Sequence, residues 1–417
     1  MLAFTFPGQG SQQPGMGAPW VDHPSWALVD QASAASGRDV AGLLLHADAD
    51  ELRRTENAQL STYVLSLVVH DAVEALGVRC HRAAGHSLGE YSALTATGAL
   101  ALEDGVRLVT ERGAAMQAAA DARPGTMAAV LGADDEVVAE ACAKVAGDVW
   151  VANTNGAGQV VIAGDPVAIE EAAAIAKDLG ARRVMPLPVG GAFHTPFMAP
   201  AAERLRTAIA RTAFRDASVP IVANVDALPH QHADQWADLL AAQLTAPVRW
   251  RQTIDRMVAD GVTTFVELGP GSVLTGVAKR QAPGGTAKAA ATPEALEAVV
   301  EAARSVGAVF ATAAASTHPP LTPAHHQTTE PAPMPVTIDH EGEHLFAAER
   351  LVVSPAAGVF TPVEGIAEGH EIDQGHVLGH VAGHEVRSAF RGTIKGVLAV
   401  AGERLTHRQP VAWLRTA

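Results

Sequence analysis

Hydrophobic residues in the first 300 positions alternate between short continuous runs and longer stretches with helical spacing. The apolar runs Leu2–Phe6, Val78–Ala84 and Thr263–Leu268 predict buried β-strands, and a glycine-containing turn follows each of them. Helical spacing covers Ala58–Leu76, and a second helix is predicted after the glycines that follow Ala84, to about Leu94. This alternation of strand and helix favours a layered α/β fold.

Residues 123–190 have an element order of their own, which predicts an inserted subdomain. Strand patterns at Thr126–Gly132, Val149–Asn153, Gln159–Gly164 and Arg182–Pro188 enclose helical patterns at Asp134–Ala146 and Pro166–Leu179. Asn155-Gly156 is expected in the turn between the two central strands. The order strand–helix–strand–strand–helix–strand is typical of a ferredoxin-like subdomain.

The composition changes sharply near residue 317. From Thr317 to about Pro335 the chain is rich in proline and its apolar residues show no period, which is typical of a linker. We therefore predict three parts: a large α/β unit at 1–310, a Pro- and His-rich linker at 311–346, and a small unit at 347–417.

The small C-terminal unit contains a faint internal repeat. Residues 351–381 can be laid over residues 386–414, which pairs Ser354 with Ser388, Gly358 with Gly392, Gly369 with Gly402, and Ile372 with Leu405. Each half alternates β-branched residues with glycine-bounded turns, so we predict short antiparallel strands.

Composition and charge exclude several classes of protein. The 417 residues carry a net charge of −15, which argues against a nucleic-acid-binding surface. The two cysteines, Cys80 and Cys142, are expected to be free thiols in a reducing compartment. The N-terminus lacks the pattern of a secretion signal, and no apolar run reaches the ~18 residues of a membrane span. We therefore expect a cytoplasmic protein without a membrane partner.

Gly85-His86-Ser87-Leu88-Gly89 fits the nucleophile-elbow pattern G-x-S-x-G between a predicted strand and a predicted helix. Glycines flank the sharp turn that would lift Ser87 above the sheet edge, at a helix N-terminus that favours developing negative charge. The backbone N–H of Leu88 would then be one oxyanion donor. The side chain of His86 is expected to point away from Ser87 and to serve in packing or hydrogen bonding.

Three further positions could complete such a site. A serine hydroxyl needs a base, and His194 directly follows the last strand of the predicted insertion. The glycine-rich loop after the first strand can offer the N–H of Gln9 as a second oxyanion donor. Arg112 lies on a helix after the elbow and could bind a substrate carboxylate in a bidentate way.

These segments together resemble the malonyl-CoA:acyl-carrier-protein transacylase family, which includes acyltransferase domains of polyketide synthases. The matching text, in family order over residues 1 to about 285, is FPGQGSQ, GHSLGEYSAL, RG..MQ, NGAGQVVIAG, GAFHTPFM, NVDA, PVRW and VELGPGSVLTG. The resemblance implies a hydrolase-like large subdomain with a ferredoxin-like insert. It also implies ping-pong transfer of malonyl from CoA to the phosphopantetheine thiol of acyl carrier protein, without a bound cofactor.

The resemblance also implies roles for single residues. Ser87 would be the acylated nucleophile, His194 its general base, and the backbone carbonyl of Gln243 would orient the histidine in place of an aspartate. Gln9 and Leu88 would be the oxyanion donors, and the positions expected to bind substrate are Arg112, Met116, Phe193 and Asn155. Family members that prefer malonyl over methylmalonyl usually carry phenylalanine before the base, as Phe193 does here.

The C-terminal repeat resembles a biotinyl/lipoyl-like domain, a flattened all-β barrel of two similar halves. In such carriers a lysine on the central hairpin takes the cofactor, but residues 378–384 contain no lysine, and Lys395 lies well inside the second half. We therefore expect neither biotin nor lipoate, and a docking or oligomerisation module instead. His376, His380 and His384 are four residues apart, but no metal site is predicted because strands and turns need not bring them together.

Two other functions remain open from the residues alone. A serine hydrolase or thioesterase would also form an acyl-serine, with water in place of the carrier thiol. A non-catalytic scaffold is the other alternative, although the presence of Ser87, His194, Arg112 and Gln9 argues against it. Because carrier proteins are usually acidic, docking would need a basic patch, for which the candidates are Arg182, Arg183, Lys279 and Arg280.

Overall fold

The structure of the chain is a computed structural model. It describes residues 1–309, 344–345, 349–363, 366–367, 369–399, 401–405 and 410–415. The chain divides into two compact units, Met1–Thr317 and His318–Ala417. Of the predicted linker at 311–346, the structure describes only residues 344–345.

The described helices all lie in the first unit. They are α1 (Ala27–Ser36), α2 (Val40–Leu45), α3 (Ala49–Arg53), α4 (Thr55–Ala75), α5 (Gly89–Ala96), α6 (Leu102–Ala122), α7 (Asp135–Ala143), α8 (Pro166–Asp178), α9 (Ala199–Ile209), α10 (Trp236–Gln243), α11 (Trp250–Ala259), α12 (Val273–Gln281) and α13 (Leu296–Arg304).

The strands of the first unit are β1 (Leu2–Phe6), β2 (Arg82–Gly85), β3 (Thr126–Leu131), β4 (Val149–Gly156), β5 (Gln159–Gly164), β6 (Arg183–Pro186), β7 (Ile221–Val222), β8 (Pro229–His230), β9 (Thr264–Leu268) and β10 (Thr286–Ala290). Those of the second unit are β11 (His344–Leu345), β12 (Glu349–Val353), β13 (Gly358–Pro362), β14 (Glu371–Ile372), β15 (Val377–Val381), β16 (His384–Arg387), β17 (Gly392–Val397), β18 (Arg404–Leu405) and β19 (Pro410–Arg415).

A six-stranded sheet in the order β10-β9-β1-β2-β7-β8 forms the centre of the first unit. Its strands are parallel up to β7, and only β8 runs antiparallel to its neighbour. The predicted mixed α/β class is therefore confirmed. The second strand begins at Arg82 rather than Val78, because Val78 instead forms an isolated antiparallel bridge with Val309.

Helix α4 lies in the interior beside this sheet. Seventeen of its 21 residues are buried, so most of its positions are apolar or small. Two of its polar side chains bond inside the protein: Ser61 Oγ donates to Asn57 O at 2.7 Å, and Tyr63 Oη is 2.8 Å from Thr95 Oγ1. The buried hydroxyls of Thr62 and Ser66 have no hydrogen-bond partner among the described residues. A helix buried on all sides gives the neighbouring α6 a fixed surface to pack on.

The inserted segment folds as a four-stranded antiparallel sheet in the order β4-β5-β3-β6, with α7 and α8 packed on it. This strand order, with two helices, is that of a ferredoxin-like subdomain. The turn prediction was wrong by two residues: Gly156 still pairs with Gln159, so the turn is Ala157-Gly158. Gly158 has a φ of +66°, which glycine adopts without a steric penalty, and Asn155 consequently belongs to β4.

The second unit is made of β-strands in its described residues and forms two sheets, in the orders β11-β12-β19-β17-β14 and β16-β15-β13-β18. The predicted antiparallel strands are confirmed. One apolar core lies within the unit and includes Val352, Phe360, Leu378 and Ile394.

The repeat in the sequence appears as an exchange of equivalent contacts between the two halves. Gly358 pairs with Leu405, and the equivalent Gly392 pairs with Ile372. The two repeat serines make the same local bond, because Ser354 Oγ donates to Ala356 O and Ser388 Oγ donates to Phe390 O, each at 2.7 Å. The halves are thus related by an approximate two-fold exchange of strands.

No helix in the described part of the chain is long and apolar enough to cross a membrane.

Cys80 and Cys142 are both free thiols, as predicted, and burial raises the pKa of the Cys142 thiol to about 11.

The passage from β2 into α5 is tight because two glycines meet there. A Cβ added to Gly85 would lie 1.8 Å from the carbonyl carbon of Gly89, and one added to Gly89 would lie 2.0 Å from the carbonyl oxygen of Phe6. Backbone atoms on neighbouring elements cannot move away as a flexible side chain can. The glycines of G-x-S-x-G are therefore required by the packing of β1, β2 and α5.

We expect Gly89→Ala to lower the free energy of unfolding by about 2–4 kcal/mol, because the added methyl group overlaps the backbone of β1. Urea denaturation of the full chain measures this change. Gly276→Ala on α12 is the matched control, because its Cβ would meet only the end of Arg280 at 3.6 Å. Equal stability of the two variants would contradict the packing argument.

Candidate active site

Ser87 lies on the turn between β2 and α5, at the carboxyl end of a central parallel strand. Its φ is +52°, an unusual value for a residue with a side chain, as expected for a nucleophile elbow. The backbone N–H of Ser87 donates to Asn224 Oδ1 at 2.7 Å, and Asn224 Nδ2 donates to Gly85 O at the same distance. These bonds hold the turn in its strained conformation.

His194 is the partner of the serine. Ser87 Oγ is 2.8 Å from His194 Nε2, and His194 Nδ1 is 2.9 Å from the backbone oxygen of Gln243. A carbonyl oxygen can only accept, so Nδ1 carries the proton and Nε2 presents its lone pair to the serine hydroxyl. His194 also has a positive φ, of 60°, so both members of the pair occupy strained backbone positions.

The imidazole of His194 is held in its neutral form. Burial, and next the positive charge of Arg112, lower the pKa of His194 to about 3. The side chain is only 5% exposed. A neutral imidazole in contact with the hydroxyl can accept its proton at neutral pH without first losing one of its own.

Arg112 on α6 brings a positive charge into the same cavity. Its side chain is 1% exposed, and Nη2 is 3.1 Å from Ser87 Oγ. Its other bonds go to neutral amides: Nη1 donates to Gln59 Oε1 at 2.7 Å and Nη2 donates to Gln243 Oε1 at 2.9 Å. No carboxylate in the described part of the chain forms an ion pair with it. A buried guanidinium without an ion pair is suited to bind an anionic group beside the serine.

The predicted oxyanion donors lie on adjoining loops. Leu88 is fully buried at the start of α5. Gln9 follows β1 in a loop that packs closely on the elbow, because a Cβ on Gly8 would lie 2.5 Å from the backbone oxygen of His86. The loop is tied further by the bond from His86 N to Phe6 O, at 3.0 Å.

Met116 and Phe193 are both buried next to predicted site residues. Met116 lies one helical turn after Arg112 on α6, and its sulfur accepts from Gln59 Nε2 at 3.1 Å. Phe193 precedes the base and is 5% exposed.

Asn155 contacts the elbow rather than the serine hydroxyl or the arginine. Its Oδ1 is 2.8 Å from His86 Nε2, and the His86 ring stands edge-on to Trp250. The side chain of His86 therefore packs and hydrogen-bonds as expected, and it joins the elbow to β4 of the insert.

Sequence reasoning missed three buried polar residues that organise the site: Gln59, Asn224 and Glu90. Asn224 and Glu90 lie within the NVDA and GHSLGEYSAL segments, where nothing marks them out individually, and Gln59 lies in a helical pattern that predicts core. A polar residue inside an apolar stretch was the available signal for Gln59.

The three histidines of the C-terminal hairpin belong to strands and turns, and no group of three or more possible metal ligands occurs among the described residues.

An elbow serine at the end of a parallel strand, a neutral histidine partner and a buried arginine without an ion pair among the described residues indicate an acyltransferase of the α/β class. The model of the acyl transferase domain family matches residues 3–294. The chain belongs to this family.

Relatives and solved structures agree with this assignment. Malonyl CoA-acyl carrier protein transacylases of Bacillus subtilis (strain 168) and Escherichia coli (strain K12) are each 41% identical to the chain, over 284 and 307 residues. The alignments cover 67% and 72% of this chain and 90% and 99% of those proteins. The crystal structure of the acyl-carrier-protein-S-malonyltransferase from Bartonella henselae is 39% identical, with a TM-score of 0.70, over 73% of this chain and 99% of that one.

The lowered pKa of His194 predicts how stability depends on pH. Between pH 6.5 and about 3 the unfolded chain binds a proton on this histidine and the folded chain does not. The stabilisation is therefore present above pH 6.5 and is lost as the pH falls, at up to about 1.4 kcal/mol per pH unit.

The measurement is the free energy of unfolding of wild type and His194→Asn between pH 7 and pH 4. We expect the difference between the two proteins to shift in favour of the variant on acidification. A difference that does not change with pH would contradict the buried, neutral histidine.

Proposed function

We propose that the chain is an [acyl-carrier-protein] S-malonyltransferase that moves a malonyl group from CoA to the phosphopantetheine thiol of acyl carrier protein. The observation that carries the proposal is the buried guanidinium of Arg112, which forms no ion pair with any described residue and whose Nη2 lies 3.1 Å from Ser87 Oγ. Malonyl brings a carboxylate to this position, whereas an uncharged acyl group would leave the guanidinium without a counter-charge.

The proposed first half-reaction forms an acyl-serine. His194 Nε2 takes the hydroxyl proton while Ser87 Oγ attacks the malonyl thioester carbon, and the carbonyl of Gln243 stabilises the resulting imidazolium through Nδ1–H. The backbone N–H groups of Gln9 and Leu88 donate to the oxyanion. The C–S bond then breaks, and His194 returns the proton to the departing CoA thiolate.

In the second half-reaction His194 takes the proton of the carrier thiol, and the thiolate attacks the malonyl-serine. The ester bond to Ser87 Oγ breaks and the serine recovers its proton from the imidazolium. No resident cofactor is needed, because the phosphopantetheine arrives with the carrier protein. The products are malonyl-carrier protein and the free serine.

Selectivity in this proposal comes from one charge and one bulky side chain. Arg112 Nη1 and Nη2 can bind the two oxygens of the malonyl carboxylate in a bidentate way. Phe193 is buried beside the base and takes the space that an α-methyl group would need, so malonyl is preferred over methylmalonyl. The proposal also assigns Met116, one helical turn after Arg112, and Asn155, which bonds His86 on the elbow, to substrate binding.

The proposed partner is an acyl carrier protein of fatty acid or polyketide biosynthesis. One similar solved structure, 36% identical with a TM-score of 0.70 over 72% of this chain, is of a type II polyketide synthase acyl-carrier protein in complex with its malonyl-transacylase. A hydrolase or thioesterase that uses water instead of the thiol is the alternative enzyme, and a non-catalytic scaffold is the alternative outside enzymes.

Four cationic residues, two on the insert and two on α12, offer a docking surface for an acidic carrier. Arg182 lies just before β6 and Arg183 begins it, and Arg280 Nη2 donates to Gln159 Oε1 at 3.3 Å. Gln159 and Arg183 are neighbours across the sheet, since Leu131 of β3 pairs with Gln159 on one side and with Arg183 on the other. The partner of Arg280 therefore lies close to Arg183. Lys279 is the neighbour of Arg280 on α12, and all four cationic residues are exposed. Since the net charge is −15, such a local patch would steer the carrier.

For the C-terminal unit we propose a flattened barrel of the biotinyl/lipoyl type without an acceptor lysine, at about residues 347–417. The two-fold exchange of strands between its halves supports the barrel type. The hairpin that would carry a modified lysine turns at Ala382-Gly383. A docking or oligomerisation module is the function we propose for it, with 311–346 as the linker.

The first experiment is the mass of the intact protein after mixing with malonyl-CoA. We expect one malonyl group on Ser87, removed faster when holo acyl carrier protein is added, because the thiol is the acceptor. Ser87→Ala is the control and should remain unmodified. Loss of the adduct at the same rate with and without carrier would favour the hydrolase, and no adduct on wild type would contradict the proposal.

Charge reversal tests the docking surface. We expect Arg182→Glu with Arg280→Glu to slow malonyl transfer to the carrier by roughly tenfold at low salt, since opposite charges steer association. Self-acylation by malonyl-CoA should stay within about twofold, because Ser87 and its neighbours are unchanged. Arg211→Glu with Arg304→Glu, at two exposed arginines outside this patch, makes the same change in charge elsewhere, and an equal loss of transfer in that variant would contradict a localised surface.

A further inference from the structure

We propose that Glu90 is a positioning residue: it fixes the side chain of Gln243, and through it the serine and the arginine, for acyl transfer. The inference rests on the proposed acylation of Ser87 and assigns a role to a carboxylate that makes no contact with the acyl donor.

Glu90 lies in the first turn of α5, three residues after the nucleophile, and is 1% exposed. Both carboxylate oxygens are used: Oε1 accepts from Asn224 N at 2.8 Å and Oε2 accepts from Gln243 Nε2 at 2.5 Å. Within the described residues Glu90 forms no ion pair, and burial raises its pKa to about 7. The charge of Arg112 offsets this burial only in part, so the stability of the carboxylate also depends on its two hydrogen bonds.

One bond determines which way the amide of Gln243 points. Gln243 Nε2 also donates to Ser87 O at 2.8 Å, so both of its N–H groups face acceptors. Oε1 is therefore left facing the Nη2 of Arg112, at 2.9 Å. A flipped amide would set its NH2 against the guanidinium donors and its oxygen against the carboxylate of Glu90. While Glu90 is ionised, its oxygens can only accept, so it disfavours that flip.

The same glutamine holds the base through its backbone. Its carbonyl oxygen is 2.9 Å from His194 Nδ1, so an amide anchored at Glu90 and Ser87 also limits the movement of that carbonyl. Gln243 is fully buried at the end of α10. The Glu90 carboxylate thus acts on the serine, the histidine and Arg112 through one intermediate residue.

The second bond of Glu90 reaches the elbow. Its Oε1 accepts from the backbone N–H of Asn224, whose side chain in turn bonds Ser87 N and Gly85 O, each at 2.7 Å. The carboxylate therefore links the strained turn of the nucleophile to the segment that orients the base.

Glu267 provides a matched comparison. It is also 1% exposed, and burial raises its pKa, but its oxygens accept from Leu274 N, Thr275 N and Thr275 Oγ1 at the start of α12. None of these partners contacts Ser87, His194 or Arg112. Neutralising Glu267 therefore reports the structural cost of losing a buried carboxylate without an effect on the site.

The test is the rate of Ser87 acylation in Glu90→Gln and Glu267→Gln of the full chain. We expect Glu90→Gln to lower the rate constant at saturating malonyl-CoA by at least roughly tenfold with KM changed by less than about threefold, because alignment is lost and substrate contacts are kept. Glu267→Gln should lose stability and keep its rate within about twofold. A wild-type rate in folded Glu90→Gln, or equal losses in both variants, would overturn the proposal.

A double-mutant cycle separates positioning through Gln243 from a general effect. Gln243→Met keeps the length and the backbone carbonyl and removes the amide, so it should itself lower the acylation rate by roughly tenfold. Adding Glu90→Gln to it should then cost less than about twofold more. Independent, multiplying effects would refute action through the amide, and a wild-type rate in Gln243→Met would do so even where Glu90→Gln does not fold.

Labelling with a fluorophosphonate, which phosphonylates activated serines, tests the role of Glu90 separately from the proposed malonyl transfer. Its reaction with Ser87 needs the aligned base but no malonyl group, so Glu90→Gln should label at least about fivefold more slowly than wild type. Absence of malonylation in wild type with this labelling difference intact would reject only the malonyl function. Equal labelling of wild type and Glu90→Gln would reject the positioning role.

Discussion

The burial of one unpaired guanidinium is the constraint on which the catalytic unit depends. Arg112 is held by neutral amides from α4 and α10, and these amides are themselves buried and need partners. Its charge helps to lower the pKa of His194 and so keeps that imidazole neutral. In the proposed reaction the buried positive charge is stabilised most when an anionic acyl group binds, so the choice of acyl group and the neutral histidine would have the same physical origin.

The fold brings these groups together by placing loops at the carboxyl ends of parallel strands. β1 leads to the loop of Gln9 and β2 leads to the elbow, and the two loops touch because glycines remove the side chains between them. The ferredoxin-like insert is joined to the large subdomain through the Asn153–Val248 bridge and the His86–Asn155 bond. The base comes directly after this insert, so the docking of the insert helps to place it.

The C-terminal unit is built differently. Its described residues form short strands that share one apolar core, and the two halves exchange equivalent strand contacts. The repeat that pairs Ser354 with Ser388 in the sequence has a local structural counterpart, because each serine donates to the backbone oxygen two residues further on. The exchange itself, in which Gly358 pairs with Leu405 and Gly392 with Ile372, is a pairing between halves that a linear alignment does not contain.

The sequence by itself determined the local features: the strands β1 and β9, helix α4, the order of elements in the insert, and the elbow around Ser87. Each depends on neighbours in the chain, through periodicity, glycine and turn chemistry. Local pattern failed where a distant segment intervened, as at Val78, or where a turn shifted, as at Gly158. Only the tertiary structure decided that Gln59, Glu90 and Asn224 meet Arg112, Gln243 and Ser87, respectively. Hydrogen bonds between residues 53 to 153 positions apart leave no periodic pattern in the sequence.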